Sequence, residues 1–232
     1  MAVMVRMSLV ALTVLAASTA TPVAASVLNV AWEGDQATDS HYVGLGAAPD
    51  GASHTYWNSF GTAGGHDSSV LSPLLYSDGS AASGVSIQLN DVNSYTPPGT
   101  PVLGLFRGQI NSPDEATTVS IDVKGLDNGQ KYNVYLYSAR PDAEIDPVTF
   151  TVNGVAQSLP GSANTSTFVQ GDNYVLFAAQ SPTGGALNVT WTGKWGGPFN
   201  ALQVTSVPEP SMLVLAVIGC FGLLAYAWRK RR

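Results

Sequence analysis

Strict alternation of apolar and polar residues recurs through the middle of this chain and decides its fold class. Val85-Ser-Ile-Gln-Leu-Asn90, Val119-Ser-Ile-Asp-Val-Lys124 and Leu187-Asn-Val-Thr-Trp-Thr192 each keep a period of two without a fault, the mark of half-buried strands. Leu28, Val30 and Trp32 share one face, as do Tyr132, Val134 and Leu136. Val148-Thr-Phe-Thr-Val152 runs into Asn153-Gly154, a type I′ turn pair, and Val155 to Leu159 returns from it. Tyr174 to Ala179 and Phe199 to Val204 bring the expected strands to at least nine. Composition agrees: 24 Gly and 14 Pro with only 11% charged residues favour short strands and turns over long helices. Pro101 to Ile110 is the one stretch with room for a short helix. One polar face per strand predicts antiparallel sheets covered on one side, packed in pairs. The expected fold is therefore an all-β, antiparallel β-sandwich of Greek-key or jelly-roll type, spanning residues 26–206.

Tyr132 adds a local detail. It follows Leu126-Asp-Asn-Gly129 just as a strand begins, which resembles the tyrosine corner of Greek-key sandwiches, where the phenol oxygen bonds to backbone upstream.

Both ends depart from this pattern. Met1 to Ala25 reads as a secretory signal peptide: Arg6 in front, an apolar run from Ser8 to Ala17, then small residues up to Val23-Ala24-Ala25. Signal peptidase is expected to cut after Ala25, with Ala20 as the alternative. At the other end Pro208-Glu209-Pro210 precedes an apolar stretch, residues 212–228, closed by Arg229, Lys230, Arg231 and Arg232. The prolines set the start of a helix, and its 17 residues rise roughly 26 Å, the short end of a membrane crossing. Four cations behind it are expected to stay cytoplasmic and leave the domain outside. The only cysteine, Cys220, lies in this stretch, so an intrachain disulfide is excluded.

The order Pro-Glu-Pro, short apolar helix, basic cluster resembles the PEP-CTERM sorting signal over residues 207–232. The resemblance implies a Gram-negative-type bacterial surface protein whose Pro208-Glu209-Pro210 is recognised by an exosortase, an integral-membrane cysteine transpeptidase. It also implies a setting of extracellular polysaccharide. It says nothing of the central domain.

Charge excludes one class of partner. Residues 26–206 hold five basic side chains against fifteen acidic ones, a net charge of −10. Nucleic-acid binding needs Lys and Arg to neutralise phosphate, so nucleic acid is not a partner.

Catalytic residues do not stand out, and the chain is read as no enzyme. His41, His54 and His66 match no zinc spacing. Gly65-His66-Asp67-Ser68 has the residue types of a triad, but neighbours in sequence do not converge on one point. Asp142, Glu144 and Asp146 alternate and are the candidates for a structural calcium ion, although the spacing is neither that of an EF-hand nor that of an RTX repeat; no other cofactor is expected. Trp191 is assigned to the core. Trp195, among glycines, and Tyr56, Trp57 and Asn58 are the candidate glycan contacts, because sugar recognition uses flat aromatic faces beside a few fixed polar groups. The expected function is an exported, exosortase-sorted surface or matrix protein whose non-catalytic sandwich contacts polysaccharide. The alternatives are a passive adhesion component and, more weakly, a secreted glycosidase or esterase.

Overall fold

The computed structural model describes residues 26–34, 42–49, 55–61, 66–97, 103–112, 118–142, 147–193 and 197–208, with residues 221, 223, 226, 229 and 230 beyond them. Residues Ala25–Val207 form one compact unit. Its described residues form thirteen strands: β1 Val27–Gly34, β2 Asn58–Gly61, β3 Val70–Leu71, β4 Ser86–Asn90, β5 Asn93–Tyr95, β6 Gln109–Asn111, β7 Val119–Lys124, β8 Tyr132–Tyr137, β9 Val148–Val152, β10 Val155–Leu159, β11 Tyr174–Gln180, β12 Ala186–Gly193 and β13 Ala201–Ser206. A five-stranded sheet runs β11-β8-β13-β1-β2, a six-stranded sheet runs β10-β9-β12-β7-β4-β3, and β5 pairs with β6.

Every strand read from alternation is present within a residue or two. Asn153 and Gly154 both have positive φ, 48° and 82°, as the turn between β9 and β10 requires. The phenol oxygen of Tyr132 accepts the Asp127 N–H at 3.1 Å, the upstream backbone bond of a tyrosine corner. Within 101–110 the helix shrinks to a single 3-10 turn, Gly104–Phe106. Strands β2, β3, β5 and β6 are two to four residues long, too short for a period of two to be recognised.

The two sheets share one core. Leu28, Val30, Val134, Leu136, Phe177, Leu202 and Val204 from the five-stranded sheet meet Ile87, Leu89, Ile121, Val123, Phe150, Val189 and Trp191 from the other. Phe199 sits at its centre, with its ring centroid 5.9 Å from Trp32, 5.2 Å from Phe150 and 5.0 Å from Trp191, all edge-on. That is the arrangement ring quadrupoles favour.

Two expectations need correction. First, β1 and β2 run parallel, so the sandwich is not wholly antiparallel; the long connection between them allows the crossover a parallel pair needs. Second, only the six-stranded sheet is covered on one side. The five-stranded sheet is buried on both: Ala31, Tyr135, Tyr137 and Ala201 on its outer face pack with Trp57, Leu105 and Phe106 in a second apolar cluster. A face so covered is filled with apolar or fully bonded side chains, which breaks the alternation. Val134-Tyr-Leu-Tyr137 carries that signal in the sequence.

The backbone at Ala179 holds strain. Ala179 has φ of 52° where the register of β11 against β8 shifts, held there by its N–H donating to Asn133 Oδ1 at 3.0 Å. An L-residue in this region costs about 1–2 kcal/mol, while glycine loses some of that gain to unfolded-chain entropy. Ala179→Gly is therefore expected to stabilise the domain by about 0.5–1 kcal/mol, read as a higher urea midpoint with an unchanged slope.

Candidate functional site

The covered face of the five-stranded sheet builds the site, and it begins with buried amides. Gln203 on β13 accepts the Ala48 N–H at 3.0 Å and the Tyr137 hydroxyl through Oε1, and its Nε2 donates to Asn29 Oδ1 at 2.8 Å. Asn29 in turn donates to the Tyr56 carbonyl at 3.0 Å. Tyr137 completes the ring by accepting the Ala47 N–H at 2.7 Å. Buried polar groups must be paired, and these choose the backbone of residues 42–48 and 55–58 as partners. Gly46 is part of that fit: a Cβ there would lie 2.1 Å from Gln203 Oε1.

Burial raises the Tyr137 phenol well above its ordinary pKa of 10.0; the neighbouring Tyr174, Tyr135 and Tyr42 add to the shift and the Ala47 bond opposes it. Tyr42, Tyr132 and Tyr135 are raised as well, burial again the first cause. A raised folded-state pKa gives stability that is complete below the unfolded value, about 10, and that is lost as pH climbs beyond it. Urea midpoints are expected to fall between pH 9 and pH 11. The fall should be shallower in Tyr137→Phe, even though that variant starts from a lower stability.

On this foundation lies a cleft of about 480 Å³ lined by Tyr42, Tyr56, Trp57, Thr55, Ser77 and Asp78, among others. Its volume lies within the range of small-molecule sites. Trp57 is buried, with its Nε1–H donated to the Gly44 carbonyl at 2.9 Å and its ring edge-on to Tyr42, 5.4 Å between centroids. Tyr56 is 43% exposed and presents its ring to solvent. The Tyr56 N–H donates to the Ser77 carbonyl at 3.0 Å and the Ser77 N–H to the Val27 carbonyl at 2.8 Å, so both walls are tied to β1. Asp78 closes an Asx turn, accepting the Ser80 N–H at 2.8 Å. A smaller cleft of about 220 Å³ lies between Tyr76, Leu126 and Tyr132.

The structure brings together Tyr56 and Trp57 of the expected glycan contacts and sets Asn58 apart. Asn58 is buried, donating to the Asn29 and Leu75 carbonyls at 2.8 and 2.7 Å and accepting the Leu75 N–H at 2.9 Å. Its amide is spent on backbone, so it has no face for a ligand. Trp195 lies outside the described residues. Tyr42, Thr55, Ser77 and Asp78 were not legible as site residues, because only folding sets three loops side by side. Asp142 forms a two-pronged pair with Arg140, at 2.9 and 2.5 Å, which already balances its charge. Glu144 and Asp146 lie outside the described residues, and among those described no cluster of three His, Cys, Asp or Glu has the closeness a metal needs. His66 Nδ1 bonds to Asp91 Oδ1 at 2.6 Å on the surface, and Asp67 accepts the Ser69 N–H at 2.8 Å; His41 and His54 are outside the described set. Trp191 is fully buried in the core.

The chain beyond β13 is described at few points: Phe221, Leu223, Tyr226, Arg229 and Lys230 are helical and exposed. Among the described residues no helix is long and apolar enough to cross a membrane; most of 212–228, and the whole of 1–25, lie outside them. Residues 206–232 match the PEP-CTERM protein-sorting motif. The chain carries a PEP-CTERM sorting signal. That signal implies export and processing by an exosortase.

For the domain ahead of the sorting signal, no curated protein matches. Solved structures resemble it as β-sandwiches. A family 35 carbohydrate-binding module from Clostridium thermocellum is 17% identical, covering 52% of this chain and 92% of its own, with a TM-score of 0.36. A CBM35 from Paenibacillus barcinonensis is 19% identical over 55% and 94%, with a TM-score of 0.33. An exo-β-1,3-galactanase from Phanerochaete chrysosporium is 18% identical over 50% of this chain and 26% of its own, with a TM-score of 0.30. At such identities and TM-scores the likeness transfers no ligand and no reaction.

Proposed function

We propose that this chain is an exported, exosortase-sorted surface protein whose sandwich binds a neutral extracellular glycan, without catalysis, in the cleft of Tyr42, Tyr56 and Trp57. Residues 1–25 direct export and residues 26–206 are the extracytoplasmic domain. Until processing, the helix at 212–228 anchors the chain in the membrane with Arg229 to Arg232 on the cytoplasmic side. The observation that carries the glycan reading is the exposed Tyr56 ring beside the polar side chains of Thr55 and Asp78 in one cleft. An aromatic plane covers the apolar face of a pyranose while fixed polar groups take its hydroxyls.

Charge narrows the ligand. The five basic residues of the domain are Arg107, Lys124, Lys131, Arg140 and Lys194; Lys194 lies outside the described residues, and none of the other four lines the cleft. A uronate polymer would meet Asp78 and a domain of net charge −10, with no Lys or Arg among the described cleft residues to receive it. Neutral hexose polymers carry no such penalty, and their binding is insensitive to salt.

Residues 26–207 have their own core and suit a direct test. Isothermal titration or pull-down against neutral and anionic polysaccharides is expected to give binding to a neutral one, unchanged between 50 mM and 500 mM salt. Tyr56→Ala should weaken it about tenfold with no change in melting temperature, since the side chain is exposed. Trp195→Ala tests the second aromatic. Binding untouched by Tyr56→Ala would move the site elsewhere. No binding at all would favour the passive matrix component.

A further inference from the structure

The Tyr56 cleft and the smaller cleft of about 220 Å³ stand on either side of one turn. Tyr76 lines the smaller cleft, whereas Ser77, Asp78 and Gly79 line the larger. The Gly79 N–H donates to the Tyr76 carbonyl at 2.9 Å, which closes a β-turn over these four residues. The ends of such a turn lie within about 7 Å of each other. The turn is fixed in place, because the Ser77 N–H is held by the Val27 carbonyl at 2.8 Å. A ligand long enough to enter both clefts has only this turn to cross.

The smaller cleft is built in advance. Its floor is the end of the core, where Leu28, Val85 and Val204 are buried. Its far wall is the loop after β7, held at three points. Gly125, at φ of 82°, lies so near the Gly84 carbonyl that a Cβ would collide with it. The Leu126 N–H donates to the Gly185 carbonyl at 3.0 Å, and the Asp127 N–H to the Tyr132 hydroxyl at 3.1 Å. Tyr132 accepts in that bond and so keeps its own proton to donate. Tyr76 and Tyr132 are both half-buried and set two phenol groups around an apolar floor. Walls fixed before binding cost little to order.

The two clefts also share a chemistry. Each has aromatic side chains and one aspartate engaged in an Asx turn, Asp78 with the Ser80 N–H and Asp127 with the Gly129 N–H, both at 2.8 Å. No Lys or Arg is among the described residues of either. The smaller volume falls below the range of self-sufficient small-molecule sites, about 300–1,000 Å³, and suits one unit of a longer chain.

We propose that the two clefts are subsites of one groove across the Tyr76–Gly79 turn, and that the ligand is a run of consecutive sugars in a neutral polysaccharide rather than a single sugar. The proposal rests on the glycan reading of the Tyr56 cleft and adds Tyr76 and Tyr132 as the residues that sense ligand length. Once the first subsite is filled, the second is reached within the same molecule, so affinity rises with length.

Isothermal titration of residues 26–207 with the disaccharides and hexasaccharides of glucan, mannan and galactan tests this. For the sugar that binds, the hexasaccharide is expected to bind at least tenfold tighter than the disaccharide. Ser83→Trp, at an exposed rim position, should block the smaller cleft and remove that gain while leaving disaccharide affinity unchanged. Tyr76→Phe keeps the ring and its packing and should lose part of the gain, several-fold. Tyr56→Ala should weaken both lengths alike. Equal affinity for the two lengths, two disaccharides bound per domain without a gain, or a gain untouched by Ser83→Trp would overturn the single groove and leave the glycan reading standing. Binding of none of these sugars at either length would count against the glycan reading itself, and the groove falls with it.

Discussion

Gln203→Leu is expected to destabilise the domain by about 3–5 kcal/mol, because each buried partner left unpaired costs about 1–3 kcal/mol and three are orphaned at once. These are the Ala48 N–H, the Tyr137 hydroxyl and Asn29 Oδ1. Leucine fills much of the space but bonds to none of them, and Asn29 is also the donor to the Tyr56 carbonyl. Loss should therefore reach the cleft. For a domain of this size the melting temperature should fall by about 10 °C or more. Glycan binding should weaken at temperatures where the fold persists, because the segments bearing Tyr42 and Tyr56 lose their tether. Thermal melts beside binding isotherms at 10 °C measure both. A melting temperature within a degree or two of the parent would show that the amide network does not hold the loops.

Phe199→Ala should be of similar size for a different reason. The side chain is fully buried and meets three aromatic rings edge-on. Removing it empties the centre of the core, at a cost of about 3–5 kcal/mol for such truncations. The residue also exchanges both backbone hydrogen bonds with Ile110, at 2.9 and 3.0 Å, and those survive the substitution. Phe199→Leu, which keeps most of the volume, should cost about half as much or less. Chemical denaturation of the three proteins gives the ordering, and equal midpoints for alanine and leucine would contradict a packed aromatic centre. The two losses should also differ at the cleft. Gln203→Leu acts on the loops directly, whereas Phe199→Ala acts through global stability and should leave affinity intact while the domain stays folded.

The contrast between those two residues mirrors what could be read in advance. Phe199 opens the expected strand from Phe199 to Val204, and an aromatic residue in a strand is expected in a core. Gln203 alternates with Leu202 and Val204 and looks like a solvent-facing residue. It is fully buried, because loops distant in sequence return to cover it. Asn58 reads in sequence as a polar group beside two aromatics, whereas its amide is bonded to the backbone of Asn29 and Leu75. Asp142 looked like an open carboxylate, but Arg140 two residues earlier holds it, a contact that depends on how the backbone bends at Pro141.

Alternation is a local property, set by the geometry of a pleated strand that sends neighbouring side chains to opposite faces. For that reason the nine longer strands, the Asn153-Gly154 turn, the tyrosine corner and the burial of Trp191 were already determined by residue order. The Pro-Glu-Pro signal is local too, since it is read as a linear segment. What covers the second face of the five-stranded sheet is not local. Residues 42–48, 55–58 and 77–79 reach Gln203 and β1 across separations of up to 155 positions, and no short window of sequence records such a meeting. Tertiary structure alone therefore decided that Tyr42, Tyr56 and Trp57 line one cleft and that Asn58 does not. It also decided that β13 lies inside its sheet, with strands on both sides up to the threshold of Pro208.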